Sequence, residues 1–298
     1  MNLDGIFPAL TTPYRDDGSV ATDDFKTNLA RYNQTGLAGY VVLGSTGESV
    51  LLSSAEAESL LVAGKEAAAP GKLLIAGTGA ESTAETILRT RRAAALGYDL
   101  ALVKTPYYYK PAYKPEVYLR YYRSVADASP IPILLYSVPI FTGVTLETSE
   151  IVALAKHPNI MGIKDSSGVI QRIVEVGAQA RKDFCILTGS AGVLHTALTS
   201  GAKGAILALA SALPEKCLEL HELWKSGRNT EAQTLQGQLA LASKTIVSEG
   251  SIAGVKYAMD LRGFHGGLPR LPLLPLAEEI RQRIAQLVNQ FEPAVSRA

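Results

Sequence analysis

A chain of 298 residues, 47% apolar and 19% charged, holds enough hydrophobic material to bury a large core. Its 29 basic and 28 acidic groups leave a net charge of +1, and no Lys/Arg cluster with interleaved aromatics offers a nucleic-acid groove. The longest apolar stretches, such as residues 204–213, fall well short of the ~20 residues that cross a bilayer, so no membrane partner is expected.

The N-terminal MNLDGIFPALTTP has no basic region followed by an apolar run, which points away from a secretory signal and toward a cytoplasmic setting. Cys185 and Cys217 sit among apolar neighbours without a CxxC pattern and read as core filler. The four histidines (His157, His195, His221 and His265) are widely spaced and match no metal-ligand pattern. Neither a metal nor another cofactor is expected.

From the N-terminus onward, short apolar or β-branched runs alternate with longer amphipathic segments. Strands are predicted at about 5–11, 38–44, 72–78, 100–105, 132–138, 160–165, 185–190 and 204–210. Each is almost continuously hydrophobic, as parallel strands covered on both faces require. Residues 53–69 and 82–96 carry helical periodicity, with Ser54 as a candidate N-cap and Gly71 and Gly97 where the helices should stop. Eight βα units predict an α/β fold, a (β/α)₈ TIM barrel over about 1–225, in preference to a doubly wound sheet. Beyond Pro214 no strand-like run remains. Segments 215–226, 231–248 and 276–291 read as helices, broken by Gly263, Gly266 and Gly267 and by prolines at 269, 272 and 275. This makes a C-terminal helical extension over about 226–298, and without a linker the whole of 1–298 reads as one domain.

Barrel chemistry collects at the carboxyl ends of the strands, so the polar residues there carry weight. After strand two, Gly44-Ser45-Thr46-Gly47-Glu48-Ser49 can turn backbone N–H groups and hydroxyls toward a small carboxylate, or simply form a βα turn. Gly77-Thr78-Gly79-Ala80-Glu81-Ser82 only imitates a dinucleotide loop, because the third glycine is missing. Tyr107-Tyr108-Tyr109 ends strand four and suits a pocket wall or an oligomer contact. Tyr136 ends strand five, where a phenol can relay a proton or merely pack. Lys164 follows the apolar Ile160-Met161-Gly162-Ile163. A lysine there is costly unless it pairs with an acid such as Asp165 or becomes an uncharged nucleophile. Gly189-Ser190-Ala191-Gly192 after strand seven lacks a basic side chain and suits a carbonyl or hydroxyl contact to substrate.

Gly44-Ser45-Thr46-Gly47-Glu48, Thr105-Pro106-Tyr107-Tyr108, Tyr136-Ser137-Val138-Pro139, Gly162-Ile163-Lys164-Asp165 and Gly189-Ser190 appear in order at successive strand ends. With these motifs, nearly the whole chain resembles the dihydrodipicolinate synthase / N-acetylneuraminate lyase family of pyruvate-dependent class I aldolases. The resemblance implies a lyase in which Lys164 forms a Schiff base with pyruvate and Tyr136 shuttles protons. It implies that Thr46 and Tyr108 complete the relay, Tyr108 across a subunit contact. The amides of Ser45 and Thr46 would hold the pyruvate carboxylate, and Gly189 and Ile206 would line its pocket. A homotetramer of tight dimers is also implied.

Synthases of the family carry an arginine in Tyr-Asn-Val-Pro-Ser-Arg-Thr-Gly that grips the aldehyde's carboxylate. Here Phe141 takes its place within Tyr136-Ser137-Val138-Pro139-Ile140-Phe141-Thr142-Gly143. The sequence lies nearer the 4-hydroxy-2-oxoglutarate aldolase branch, although Ser45-Thr46 stands where that branch often has Ser-Asn. The expected substrate is therefore 4-hydroxy-2-oxoglutarate or a 2-oxo-3-deoxy sugar acid, with Ser166 touching its distal part. Condensation of pyruvate with aspartate semialdehyde, a metal-dependent aldolase and a non-catalytic 2-oxo-acid sensor are the alternatives.

Overall fold

A computed structural model describes residues 1–291. Eight strands form a single parallel sheet: β1 (Gly5–Pro8), β2 (Gly39–Val42), β3 (Leu73–Gly77), β4 (Leu100–Lys104), β5 (Ile133–Ser137), β6 (Ile160–Asp165), β7 (Cys185–Thr188) and β8 (Gly204–Leu207). Neighbours pair in the order β1-β8-β7-β6-β5-β4-β3-β2. The remaining gap closes through a parallel bridge between Ala9 and Val41, supported by the N–H of Leu10 donating to the Val41 carbonyl at 3.0 Å. The sheet is thus a barrel ringed by helices, as the eight-unit repeat predicts.

Alternation along the strands sorts the side chains. Ile133, Leu135, Ile160 and Ile163 face outward into a cluster shared with the surrounding helices. Phe7, Leu102, Leu134, Tyr136, Leu187 and Ile206 fill the barrel itself. Register then places Lys104, Tyr136 and Lys164 side by side in one layer at the carboxyl ends of β4, β5 and β6.

Two sequence expectations need correction. The eighth strand stops at Leu207, and Leu209 and Ala210, the end of the predicted strand, open a short helix over Leu209–Ala212. Its leucine and alanines favour helix once pairing with β1 ends. The cap of helix Ser54–Ala67 is Ser53: its hydroxyl accepts the Glu56 N–H at 3.3 Å while its own N–H donates to Glu56 Oε2 at 2.8 Å. Gly71 and Gly97 do adopt positive φ, at 84° and 81°, where a chain reversal follows the helix.

Helix Pro214–Lys225 completes the ring, and Asn229–Ala242, Ser243–Glu249, Ser251–Leu261 and Glu278–Gln290 form the extension. Residues 292–298 of the predicted extension lie outside the described residues. The extension is tied to the barrel mouth by side chains. Gln236 Nε2 donates to the carbonyls of Ala191 and Gly192, both at 3.0 Å, and its Oε1 accepts the His195 N–H at 2.7 Å. Among the described residues no helix is long and apolar enough to cross a membrane.

Both cysteines are buried, and burial pushes the Cys185 thiol up to about 12 and the Cys217 thiol higher still. Because only thiolate reacts, neither should be modified by an aromatic disulfide reagent at pH 8 in the native protein. Both should react at once in denaturant; rapid native labelling would show that the barrel opens.

Candidate active site

Lys164 is 4% exposed and points into the barrel because its strand neighbours Ile163 and Asp165 face the other way. Its Nζ stands 4.3 Å from the ring centroid of Tyr136, a distance at which an amine or ammonium is attracted to the π face. Asp165 does not neutralise it. That carboxylate takes the Ser167 N–H at 2.8 Å and the Arg172 guanidinium at 3.5 Å. Among the described residues Lys164 has no ion pair, so the structural-pair alternative falls.

Tyr136, 5% exposed, holds its hydroxyl 3.3 Å from Ser45 Oγ. The resemblance placed Thr46 in the relay, but the hydroxyl that meets the phenol is that of Ser45. Thr46 is half-buried in the same turn, and its hydroxyl makes no hydrogen bond among the described residues. Within the turn, Gly47 and Glu48 spend their N–H groups on the carbonyls of Gly44 and Ser45 at 3.1 and 3.0 Å. The N–H groups of Ser45 and Thr46 have no acceptor among the described residues and remain available to an anion.

This turn is strained and braced. Leu43 and Glu48 bound it at φ 61° and 56°, a left-handed region that costs non-glycine residues roughly 1–3 kcal/mol. Glu48 is held there by Lys256, whose Nζ lies 2.7 Å from Oε1, with both side chains fully sealed from solvent. The same ammonium donates to the Leu268 carbonyl, and Glu48 Oε2 accepts the Arg270 N–H, both at 2.7 Å. Lys256 Nζ and the Arg270 guanidinium each sit 4.4 Å from the Tyr14 ring centroid. Burial pushes Lys256 below the ordinary lysine range, with Glu48 opposing that fall. Arg270 also clamps Glu56 at 2.6 and 2.9 Å, which lowers that carboxyl to about 2. The sequence reading missed Lys256 and Arg270. The one signal was Lys256 itself, a lysine set between the apolar runs Ile252-Ala253-Gly254-Val255 and Tyr257-Ala258-Met259.

The remaining expected residues divide in two groups. Gly189 abuts Ser166 so closely that an added Cβ would fall 1.9 Å from the serine Oγ and 2.8 Å from its Cβ, so a larger residue would displace Ser166. Ser190, half-buried beside it, donates its N–H to Thr188 Oγ1 at 3.2 Å, and Ile206 is wholly buried in the same interior cluster as Tyr136. Tyr108, in contrast, is 72% exposed and stacks edge-on against Tyr109 with centroids 5.0 Å apart. Within one chain it makes no hydrogen bond to Tyr136. A cleft of about 470 Å³ runs outward from Ser45 and Tyr136 past Gly79, Glu81, Lys104 and Tyr107.

Three comparisons agree on kinship. Residues 2–291 match the model of the dihydrodipicolinate synthetase family. The 4-hydroxy-tetrahydrodipicolinate synthase of an Exiguobacterium strain is 33% identical, over 96% of this chain and 97% of the relative. That of Xanthomonas axonopodis pv. citri is 37% identical over 93% and 91%. The crystal structure of a dihydrodipicolinate synthase from Bacillus anthracis superposes with a TM-score of 0.92 at 29% identity, covering 98% of this chain and 99% of that one.

Two measurements test the brace. Glu48→Gln strands a buried ammonium and should lower unfolding free energy by about 3–5 kcal/mol in urea titrations, while adding Lys256→Met should recover part of the loss. A Glu48→Gln midpoint equal to wild type would remove the pair from its anchoring role. For Glu56, a folded value near 2 against an ordinary 4.5 means that its contribution is complete above pH 4.5 and disappears as pH falls toward 2. Melting temperature should drop through that window in wild type and less so in Glu56→Gln.

Proposed function

Because the chain belongs to the dihydrodipicolinate synthetase family, a family of class I pyruvate aldolases, we propose that Lys164 is its Schiff-base residue. The observation that carries this reading is a buried amine with no carboxylate partner, set against Tyr136, whose hydroxyl faces Ser45. The amine attacks C2 of a 2-oxo acid, and loss of water leaves an imine. The free N–H groups of Ser45 and Thr46 suit the adjacent carboxylate. In the cleavage direction, the Tyr136 oxygen takes the C4 hydroxyl proton as the C3–C4 bond breaks, while the phenol passes its own proton through the Ser45 hydroxyl to the cleft. The bonding pair flows into the protonated imine to give an enamine, and an aldehyde departs. Protonation at C3 and hydrolysis then release pyruvate and free Lys164. Condensation runs the same steps in reverse.

Ser45 takes the relay position beside Tyr136. The exposure of Tyr108 suits insertion into a neighbouring subunit, in keeping with the homotetramer the resemblance implies. Gly189 and Ile206 line the keto-acid end, with Ser166 and Ser190 on the distal side. The relatives' names favour aspartate semialdehyde as the partner. One observation favours cleavage of 4-hydroxy-2-oxoglutarate instead: Phe141, 57% exposed, stands where synthases carry the carboxylate-gripping arginine.

Borohydride reduction with pyruvate should attach a stable adduct to Lys164, found by peptide mapping, and Lys164→Ala should show none. A protein left unmodified by pyruvate and borohydride refutes the Schiff base. Trapping without carbon–carbon bond making or breaking would support the sensor alternative. Ser45→Ala should lower kcat on the order of 10²-fold, with a smaller loss for Thr46→Ala. The reverse order would return the relay to Thr46. Parallel assays with aspartate semialdehyde and 4-hydroxy-2-oxoglutarate separate the two partners.

A further inference from the structure

The steps above make no use of Lys104. It ends β4, paired in register with Tyr136, which is itself paired with Lys164. Leu102, two residues earlier, is packed inside the barrel beside Leu134 and Tyr136, so alternation turns Lys104 toward the same mouth. Its side chain is 15% exposed and lines the cleft that reaches Ser45 and Tyr136.

The charge of Lys104 is poorly matched. Its carboxylate neighbour Glu81 places Oε1 3.8 Å away, too far for a hydrogen bond. Oε2 of Glu81 is occupied by the N–H groups of Tyr107 and Tyr108, each at 2.9 Å. The Tyr107 ring, with its centroid 5.1 Å from Nζ, adds only a weak contact. Arg89, a like charge nearby, is itself held by Glu85 at 2.7 Å. Burial pushes Lys104 below the ordinary lysine range, Arg89 adds to the fall, and Glu81 offsets only part of it. An anion arriving in the cleft would relieve this imbalance through a charge-assisted hydrogen bond.

Position gives the anion a chemical identity. With neighbouring strands about 4.8 Å apart, Lys104 and Lys164 stand roughly 10 Å apart at Cα with Tyr136 between them. A short chain bonded to Lys164 at one end can therefore present its other end to Lys104. Ile140 and Phe141, 79% and 57% exposed after β5, offer no competing charge.

We propose that Lys104 determines specificity for the aldehyde partner by binding its carboxylate in the cleft over Tyr136. The substrates are then short 2-oxo acids with a second carboxylate, rather than 2-oxo-3-deoxy sugar acids whose distal end is uncharged. The inference rests on the aldolase reading for its covalent step.

The test uses the full chain with pyruvate and either glyoxylate, aspartate semialdehyde or acetaldehyde. Wild type should prefer a carboxylated aldehyde. Lys104→Met should reduce that preference, as a ratio of kcat/KM values to acetaldehyde, on the order of 10- to 100-fold, chiefly through KM. Lys104→Arg should restore most of it, and Lys104→Gln replaces the methionine variant if that protein does not trap pyruvate. A wild type without the preference, or a Lys104→Met ratio equal to wild type, overturns the proposal. Borohydride trapping with pyruvate, run on each protein, reports the imine separately: its absence from wild type defeats the aldolase reading itself.

Discussion

The turn after β2 could not keep its shape unaided. Leu43 and Glu48 both sit at positive φ, and the loop between them leaves two N–H groups without internal acceptors. Such a conformation persists only where surrounding structure over-determines it. Here the restraint is the sealed pair of Glu48 and Lys256, which joins residues 208 positions apart. Desolvating both charges is expensive, and the cost is offset because each partner has further hydrogen bonds: Lys256 to the Leu268 carbonyl and Glu48 to the Arg270 N–H. The C-terminal extension is therefore part of what holds Ser45 in front of Tyr136.

The layer that holds Lys104, Tyr136 and Lys164 is a product of barrel alternation. Leu134 and Leu187 precede or flank the polar layer, so the floor beneath Lys164 is apolar and excludes water. Tyr136 then serves two faces. Its ring lies beneath the amine, and its hydroxyl meets Ser45. One side chain thus flanks the amine proposed as nucleophile and links it to the turn after β2, a division that requires the register between β5 and β6.

Much of this was legible in the chain. All eight strands announced themselves because each must be apolar on both faces, and Lys164 and Tyr136 stood out as polar interruptions near strand ends. What failed was direction. Whether Ser45 or Thr46 meets the phenol depends on left-handed backbone at flanking positions, which residue type does not reveal. Adjacent serines likewise hid which of Ser53 and Ser54 caps the helix. Lys104 passed as an ordinary strand end, since its orientation matters only once β4 is aligned with β5. Lys256 and Arg270 were invisible as site supports because their partners lie far away in sequence. Tyr108 reads as a relay member from its motif, yet its place is completed by no neighbour within one chain.

The extension grips the mouth at two places: Gln236 on the loop after β7, and Lys256 with Arg270 on the turn after β2. Among the described residues no comparable strap lands on the segments after β4 and β5, where Tyr108, Tyr109, Ile140 and Phe141 stand exposed. Tolerance to substitution should therefore differ around the rim: a new side chain on the loose arc breaks few existing bonds, whereas one on the braced arc disturbs the turn that faces Tyr136.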